Sequence, residues 1–378
     1  MNTVIENAVI CDTENMTLHR GSISFSDGIV VDRQDGDTDL LIDAEGAFVI
    51  PGFVDVHTHG RAGYDFCSAS EEGMKEAAKS YLSVGTTTLM PTLASAPYEE
   101  LLAAADRINS IRGNTGGANF AGIHLEGRYL NPDFRGAHKK EFLAAPDTRE
   151  LEELVFRMCL PCHISAALEL DGGEEFAKKA KALGATLGLG HTGVDFSRAY
   201  KLYEKYAISF THLFNAMPPI HHRAGGAAVA GLESGAFCEL ICDGMHISPE
   251  MVRLAYTCLT PERLVLITDS MEAAGCPDGD YTIAGSPCKV KDGKALTPEG
   301  KLAGSTLDLK TAVENLMRFC GAGLAEAVRC ATLNPAREVG IESTVGSLRP
   351  GKHADALIVR ENSGKLIIEK TFIGGIQV

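Results

Sequence analysis

A His-x-His motif, His57 and His59, lies in the segment 51–60. Side chains two residues apart on a β-strand point the same way, so both imidazoles can bind one metal ion. Imidazole and carboxylate ligands without cysteine are typical of Zn²⁺, Fe²⁺ or Mn²⁺ sites. A bound ion of this kind lowers the pKa of a coordinated water and activates it for hydrolysis. The motif therefore indicates a catalytic metal site, with two structural histidines as the alternative.

Further residues with metal or acid–base chemistry follow other short apolar runs of the sequence. Glu126, His191 and His212 end the third, fifth and sixth runs, and His246 follows the seventh. Asp269 ends the eighth run, where it is placed to take a proton from an activated water and return it to a leaving group. A lone histidine is more often structural, and a lone aspartate more often caps a helix. Their joint occurrence at equivalent positions favours a metal site.

Eight apolar runs alternate with amphipathic segments after residue 50. The predicted strands are 52–56, 86–92, 120–125, 163–168, 185–190, 208–213, 238–242 and 263–268. The clearest helical segments are 71–84, 98–111, 174–183 and 197–205. This alternation predicts an α/β fold of the (β/α)8 TIM-barrel type, with a doubly wound sheet as the alternative. In a barrel, active sites lie at the C-terminal strand ends, so the reactive residues should meet at one mouth.

Both ends of the chain have strand character. The predicted strands are 3–11, 21–25, 29–31 and 39–43 near the N-terminus and part of the tail 346–359, with a strand-like insertion at 281–304. Helices are expected at 307–320 and 324–332. We therefore predict a discontinuous small β domain, residues 1–50 with 345–378, beside a catalytic barrel formed by residues 51–344. His163, at the start of its strand, is predicted to be structural.

Composition narrows the functional class. The 378 residues carry a formal net charge of −15, which argues against a nucleic-acid-binding protein but allows a local site for a small anion. No apolar run is long enough to span a bilayer. Eleven scattered cysteines and an N-terminus without signal-peptide features predict reduced thiols and a cytoplasmic location.

The motifs taken together resemble a known family. They are Pro51-Gly-Phe-Val-Asp-Val-His-Thr-His, His124-Leu-Glu-Gly, Gly190-His-Thr, Thr211-His-Leu-Phe-Asn-Ala-Met, Asp243-Gly-Met-His and Thr268-Asp-Ser-Met. This set is similar to that of the N-acetylglucosamine-6-phosphate deacetylases of the amidohydrolase superfamily. The resemblance implies a (β/α)8 barrel with a small β-sandwich from both chain ends. It also implies hydrolysis of the acetamide of an N-acetylhexosamine 6-phosphate to acetate and the amino sugar phosphate.

The resemblance also implies roles for individual residues. Glu126, His191 and His212 would hold the principal divalent ion, for which Zn²⁺ is expected and Fe²⁺ or Mn²⁺ are alternatives. The His-x-His motif, retained in full, would allow a second ion in each subunit. Asp269 would act as general base and then as the acid that protonates the leaving amine. As a separate hypothesis, the metal would polarise the carbonyl oxygen, with His246 or another nearby donor helping.

Substrate contacts and assembly are implied in the same way. The contacts carried over by motif are His138, Asn215, Ala216, His222, Arg223 and His246. Family members are similar in forming homodimers with the interface near the phosphate pocket, so one phosphate ligand can come from the neighbouring subunit. The expected partners are therefore a small sugar phosphate and a second copy of the chain, with no nucleic acid and no membrane.

The sequence departs from the family pattern at two positions. Arg128 stands where many members have proline after His-Leu-Glu-Gly, and Ala224-Gly-Gly follows His-His-Arg. Arg128 would either add positive charge at the mouth or alter the loop, which leaves the sugar epimer open. The alternatives are a deacetylase for N-acetylgalactosamine 6-phosphate or another N-acyl amide, and a non-catalytic protein that binds sugar phosphates. A dihydropyrimidinase-like enzyme is disfavoured because strand four, 163–169, lacks the lysine that bridges the metals there.

Overall fold

The N-terminal segment forms strands of a sheet outside the barrel. These strands are β1 (Asn2–Asp12), β2 (Thr17–Ser26), β3 (Ile29–Val31), β4 (Leu40–Asp43) and β5 (Phe48–Pro51). β1 is central, since it pairs antiparallel with β2 and parallel with β4 and β5. The computed structural model describes residues 1–32 and 37–378, so residues 33–36 of the predicted small domain lie outside the described residues.

A parallel sheet follows and curls into a barrel. Its strands are β6 (Phe53–Thr58), β9 (Thr86–Ala94), β10 (Asn119–Phe120), β11 (Ile123–Glu126), β12 (Cys162–Ala166), β13 (Thr186–Leu189), β14 (Ser209–Phe210), β15 (Phe237–Ile241) and β16 (Leu264–Ile267). The antiparallel pair β7 (Gly60–Arg61) and β8 (Tyr64–Asp65) lies just after β6. Each barrel strand pairs in parallel with the next, from β6 through β9 and β11 to β16, while β10 adds a short second segment beside β9.

The last strand meets the first and so closes the barrel. The Asp269 N–H donates to the carbonyl of His57 over 2.9 Å. The Thr268 hydroxyl donates to the buried carboxyl of Asp55 over 2.6 Å. Because these contacts join the C-terminal end of β16 to that of β6, they bring Asp269 next to the His-x-His motif.

Helices cover the outside of the barrel. They are α1 (Glu71–Leu82), α2 (Tyr98–Ile111), α3 (Thr148–Met158), α4 (Gly173–Ala182), α5 (Phe196–Lys205), α6 (Gly226–Glu233), α7 (Pro249–Arg263), α8 (Leu309–Cys320), α9 (Leu324–Cys330) and α10 (Leu333–Glu338). The buried face of α1 shows the pattern, because Met74, Ala77, Ala78 and Tyr81 recur at helical spacing and pack into the main core. Side-chain caps fix several starts, as where Asp147 accepts the Arg149 and Glu150 N–H groups at α3.

An antiparallel insertion and the chain's last strands complete the fold. β17 (Gly279–Ile283), β18 (Ser286–Lys291) and β19 (Lys294–Leu296) form a three-stranded meander after β16. β20 (Ala356–Asn362), β21 (Lys365–Ile373) and β22 (Ile376–Gln377) then join the N-terminal sheet through β5, which pairs antiparallel with β20. Strands from both chain ends thus share one eight-stranded sheet, with a separate core that includes Ile5, Phe25 and Phe372.

The predicted architecture of a barrel with a small β domain from both termini is confirmed, whereas the domain boundaries themselves stay a prediction. Several element bounds were wrong. The run 208–213 forms only the two-residue strand β14, the run 120–125 splits into β10 and β11, and the tail is extended only from Ala356. The helix expected at 324–332 ends at Cys330, and α10 follows it.

All eleven cysteines are free. Cys159 and Cys162 have the Cys-x-x-Cys spacing, but Cys159 is exposed while burial raises the pKa of Cys162 to about 12. A thiol with so high a pKa is a poor nucleophile and metal ligand, so the spacing does not mark a reactive site. In the described part of the chain, no helix is both long and apolar enough to cross a membrane.

Candidate metal centre and active site

Three predicted site residues follow barrel strands in a left-handed backbone conformation. φ is +48° at His191, +30° at His212 and +47° at Asp269. Non-glycine residues rarely adopt positive φ because the Cβ atom crowds the backbone, and such residues concentrate at functional sites. Each lies two residues beyond the end of β13, β14 or β16, and all three side chains line one cavity.

Glu126, His191 and His212 form a compact cluster of ligand atoms. Glu126 Oε1 lies 3.1 Å from His191 Nε2 and 2.8 Å from His212 Nε2, and the two nitrogens are 3.1 Å apart. Ligands at about 2.0–2.2 Å from a tetrahedral Zn²⁺ lie roughly 3.3 Å from one another. The three residues therefore fit a divalent cation at their centre.

The hydrogen bonding of His191 supports this assignment. Its Nδ1 lies 2.8 Å from the Phe134 carbonyl oxygen, which can only accept, so Nδ1 carries the proton. The Nε2 lone pair then points at Glu126 and His212. Metal-binding histidines usually donate their other ring N–H to such an acceptor, which fixes the tautomer and orients the ring.

His57, His59 and Asp269 form a second cluster beside the first. His59 Nε2 lies 3.0 Å from Glu126 Oε2 and 3.2 Å from Asp269 Oδ1. His57 Nε2 lies 3.4 Å from Glu126 Oε1 and has no hydrogen-bond partner. Glu126 thus presents a carboxylate to both clusters and can bridge two ions.

Glu239 is a site residue that the sequence did not reveal. It lies on β15, fully buried, and its Oε2 accepts the His57 Nδ1–H over 2.9 Å and the His212 backbone N–H over 3.1 Å. One carboxylate oxygen therefore orients a ligand of each cluster. Only its place two residues after Phe237, on an otherwise apolar strand, sets it apart in the sequence.

Replacing Glu239 with alanine is expected to weaken metal binding about 10- to 100-fold, which is the usual effect of losing a group that orients a metal-binding histidine. Glu239→Gln, which keeps an acceptor oxygen, should lose much less metal affinity. Chelator competition on the folded variants measures both affinities. Equal affinities for wild type and Glu239→Ala would contradict this role.

The charged groups of the two clusters strongly shift the pKa values of one another. Burial alone would raise the pKa of Glu126, yet His57 and the hydrogen bonds from neighbouring imidazoles hold it well below its usual range. Burial would lower the pKa of His59, but the hydrogen bonds to Asp269 and Glu126 raise it to about 9. Burial lowers the pKa of His191 to about 4, so this imidazole is neutral at pH 7. The same His59 contact keeps the pKa of Asp269 low despite its burial.

Metal binding at the second cluster is expected to release protons. With no ion bound, the pKa of His59 is about 9, and Glu126 and Glu239 raise that of His57 despite its burial. Both imidazoles are then protonated at pH 7, and each must lose its proton before it can bind an ion. Affinity should therefore fall by about tenfold or more per pH unit as the pH drops from 8 to 6. Calorimetry in buffers of different ionisation enthalpy measures the released protons; finding none would contradict the assignment of both histidines as ligands.

A cavity of about 140 Å³ opens over the clusters. Its lining includes the predicted residues His59, Glu126, His138, His191, His212, Asn215, Ala216, His246 and Asp269. His57 lies buried beneath it. Unexpectedly, the β17–β19 insertion, with Ile283 and Ala284, and the segment after it, with Gly304, also contribute a wall. A larger cavity of about 730 Å³, lined by Arg112, Phe120 and His353 among others, contains none of the predicted residues.

His138 and His246 are held by specific hydrogen bonds. The Ser95 backbone N–H donates to His138 Nδ1 over 3.2 Å, which leaves Nε2 as the protonated nitrogen, 3.4 Å from Glu126 Oε2. His246 Nδ1 lies 2.6 Å from Asp243 Oδ2, while Asp243 Oδ1 accepts the His246 backbone N–H. These hydrogen bonds hold both imidazoles in fixed orientations at the cavity wall, where each can donate or accept a hydrogen bond.

His222 and Arg223, unlike the other predicted substrate contacts, do not line the cavity. Both are exposed on the loop before α6, outside the lining of the cavity, and Arg223 Nη1 lies 2.6 Å from His222 Nε2. A single chain therefore brings together all predicted metal ligands, but not these two predicted substrate contacts.

Arg128 does not add charge to the mouth. Its guanidinium makes two hydrogen bonds with Glu150, at 3.1 Å and 3.2 Å, and lies over the ring of Tyr98. Its backbone has φ +40° and its N–H donates to Ser95 Oγ. Of the two alternatives for Arg128, the structure favours the altered loop, because the side chain attaches the loop to α3 through Glu150.

Comparison with known proteins agrees with this geometry. The model of the amidohydrolase family matches residues 48–378. The chain is 34% identical to N-acetylgalactosamine-6-phosphate deacetylase of Escherichia coli O157:H7, over 96% of this chain and 94% of that protein. It is 32% identical to N-acetylglucosamine-6-phosphate deacetylase of Vibrio furnissii, over 86% of this chain and 82% of that one.

Solved structures give the same result. The structure is similar to that of N-acetylglucosamine-6-phosphate deacetylase from Thermotoga maritima, with a TM-score of 0.88, 29% identity and 99% of both chains covered. A variant of the Mycobacterium smegmatis deacetylase, in complex with N-acetyl-D-glucosamine 6-phosphate, matches with a TM-score of 0.89 and 28% identity, over 100% of this chain and 98% of that one. The resemblance found in the motifs is confirmed, and the chain belongs to the amidohydrolase family.

Proposed function

We propose that this chain hydrolyses the acetamide of N-acetyl-D-glucosamine 6-phosphate to D-glucosamine 6-phosphate and acetate. The observation that carries the proposal is the convergence of Glu126, His191, His212 and Asp269 on one cavity. The named activity of the relatives and of the substrate-bound M. smegmatis protein supports this choice of substrate.

The residues of the chain have distinct tasks in this reaction. Glu126, His191 and His212 hold the principal divalent ion, which when bound polarises the amide carbonyl and activates water. Asp269 Oδ1 accepts the proton of the attacking water and returns it to the leaving amine nitrogen. Its low pKa keeps it ionised at neutral pH, as the first of these steps needs. His138 and His246 bind and orient the sugar and its amide from the cavity wall.

Zn²⁺ is the ion that we propose for the principal position. Two imidazoles and one carboxylate leave an open coordination position, which is the usual form of a catalytic zinc site. The second cluster, with His57 and His59, allows another ion in each subunit. Metal analysis of the purified protein identifies the ions and their number.

Asn215, Ala216, His222 and Arg223 are proposed to bind the sugar phosphate. Asn215 and Ala216 line the cavity, whereas His222 and Arg223 are exposed on a loop of the single chain. We propose that a homodimer places this loop at the neighbouring subunit's cavity. Light scattering on the purified protein tests the dimer, and a monomer that retains full activity would exclude it.

Arg223→Ala is expected to raise KM for the phosphorylated sugar by about tenfold or more with little change in kcat. A guanidinium that binds phosphate acts equally in the ground state and the transition state, so its loss affects binding. Steady-state kinetics measure both constants, with Arg198→Ala on the exposed face of α5 as a control. An unchanged KM would refute the phosphate contact.

A second candidate substrate is N-acetylgalactosamine 6-phosphate, because the E. coli relative that matches 96% of this chain is named for that activity. Comparing kcat/KM for the two epimers distinguishes the candidates. We expect the gluco epimer to have the higher kcat/KM. A clear preference for the galacto epimer would make N-acetylgalactosamine 6-phosphate the proposed substrate instead. Metal-free, inactive protein that still bound the sugar phosphate would instead indicate a non-catalytic binding protein.

The eleven free cysteines support the further proposal of a cytoplasmic enzyme.

A further inference from the structure

A third group of ligand-type side chains lies inside the barrel. His163 on β12, Glu239 on β15 and Glu338 at the end of α10 are fully buried, each with 0% exposure. One ligand atom of each lies within 4.8 Å of the other two. None of the three lines the cavity over the catalytic clusters.

Five polar atoms around this point lack a hydrogen bond of good geometry. They are His163 Nε2, Ser209 Oγ, Glu239 Oε1 and both carboxyl oxygens of Glu338. Buried polar atoms are nearly always paired, so a concentration of unpaired ones needs an explanation. His163 Nε2 and Glu239 Oε1 are 3.9 Å apart, too far for a direct hydrogen bond and close enough to share a ligand.

The tautomer of His163 leaves an acceptor nitrogen that needs either a hydrogen-bond donor or a cation. Its Nδ1 lies 2.8 Å from Thr186 Oγ1, and that hydroxyl is directed to the Cys162 carbonyl. Thr186 therefore accepts from Nδ1–H, and His163 Nε2 presents a lone pair to the carboxylates. This is also the arrangement by which a neighbouring oxygen orients a metal-binding imidazole.

The charges of the two buried carboxylates also indicate a missing partner at this position. Glu239 Oε2 already accepts from His57 and from the His212 N–H, which leaves Oε1 for another partner. The Glu338 carboxyl contacts the side chains of Glu239 and Ser209, and burial and then the charge of Glu239 raise its pKa well above the usual range. Among the described residues, no lysine or arginine forms an ion pair with Glu239 or Glu338. The pair therefore needs either a shared proton or a cation.

Gly188 on β13 leaves room beside these atoms. A Cβ at this position would lie 2.5 Å from Thr211 Oγ1, 3.0 Å from His163 Nε2 and 3.2 Å from Ser209 Oγ. Gly188 is not among the glycines with positive φ, so its backbone does not require glycine. The absence of a side chain here keeps space open at the unpaired atoms.

We propose that His163, Glu239 and Glu338 form a structural site for a divalent cation inside the barrel, separate from both catalytic clusters. One imidazole and two carboxylates suit Zn²⁺ or Mn²⁺, and two carboxylates balance the charge of the ion. The ion links β12, β15 and α10, and so stabilises the strand from which Glu239 orients His57 and His212. This site goes beyond the proposed function and does not depend on the substrate.

Anomalous diffraction from crystals of Zn²⁺-loaded protein tests the site without any substitution. Data collected above and below the zinc absorption edge should show a peak within bonding distance of His163 Nε2 and of both carboxylates. The absence of a peak there would overturn the proposal in favour of a proton shared between Glu239 and Glu338. This result is independent of deacetylase activity, so failure of the proposed function would be recognised separately.

Glu338→Gln separates the two explanations in solution. Gln is a close copy of a protonated Glu338, so a shared proton predicts unchanged zinc content and an unchanged or higher Tm. The cation site predicts that the variant loses one equivalent of zinc per chain and has a lower Tm. Glu342→Gln, a nearby carboxylate outside the cluster, is the matched control and should keep the wild-type zinc content. If Glu338→Gln does not fold, the anomalous map of the wild-type protein still decides.

Discussion

Replacing Glu126 with glutamine is expected to remove the principal metal ion and to reduce kcat/KM by about 10³-fold or more. Glu126 Oε1 is within 3.1 Å of both imidazole nitrogens of the principal cluster, and Oε2 faces His59. An amide is a weaker ligand and carries no charge to balance the ion. Without the ion, the enzyme loses the several kcal/mol of transition-state stabilisation that a polarising metal supplies.

Metal analysis and kinetics on the same preparation test this expectation. Glu175→Gln, at an exposed position of α4, is the control and should keep both metal and activity. His59→Asn provides a graded comparison, because it affects only the second cluster and should retain the principal ion. If Glu126→Gln bound metal and turned over substrate as wild type does, the cluster would not be the metal centre.

The second large effect is expected for Asp269→Asn, with kcat reduced by about 10²- to 10⁴-fold, the usual contribution of a positioned acid–base group. The amide is nearly isosteric but cannot carry the proton from water to amine. The principal ion should remain, because Asp269 is not among its three proposed ligands, Glu126, His191 and His212. This combination of lost turnover and retained metal distinguishes proton transfer from metal binding.

The readouts for Asp269→Asn are kcat, the zinc content and the pH profile of the residual activity. Wild-type activity should decline at low pH as Asp269 is protonated, and the residual activity of the variant should lack that limb. Asp171→Asn, an exposed substitution, serves as control. A variant with most of its activity intact would show that another group transfers the proton.

The fold could be predicted because its pattern is local. Parallel strands buried on both faces form short apolar runs, and the amphipathic helices between them show a clear period. The run 208–213 shows the limit of this method. The sequence Ile-Ser-Phe-Thr-His-Leu is apolar enough for a long strand, yet only Ser209–Phe210 pair, because the chain turns at His212 with φ +30°. That strained turn depends on tertiary contacts, including the bond from the His212 N–H to Glu239.

The convergence of the predicted metal ligands could be expected because barrel topology brings strand ends together. The positions of Glu239 and Glu338 could not, since a single carboxylate on an apolar strand or in a short helix has no spacing that marks it. The ring of His163 likewise shows its importance only through its distance from Glu239. The sequence did not reveal the wall formed by the β17–β19 insertion either, because contacts between distant segments leave no local pattern.

The central claim is that the cluster of Glu126, His191 and His212 performs metal-dependent deacetylation. The most direct measurement follows the release of acetate from N-acetyl-D-glucosamine 6-phosphate by untreated protein, by protein stripped with a chelator, and by stripped protein resupplied with Zn²⁺. We predict activity, loss of activity and its recovery, with no recovery in Glu126→Gln. Full turnover by the stripped, metal-free protein would contradict the account.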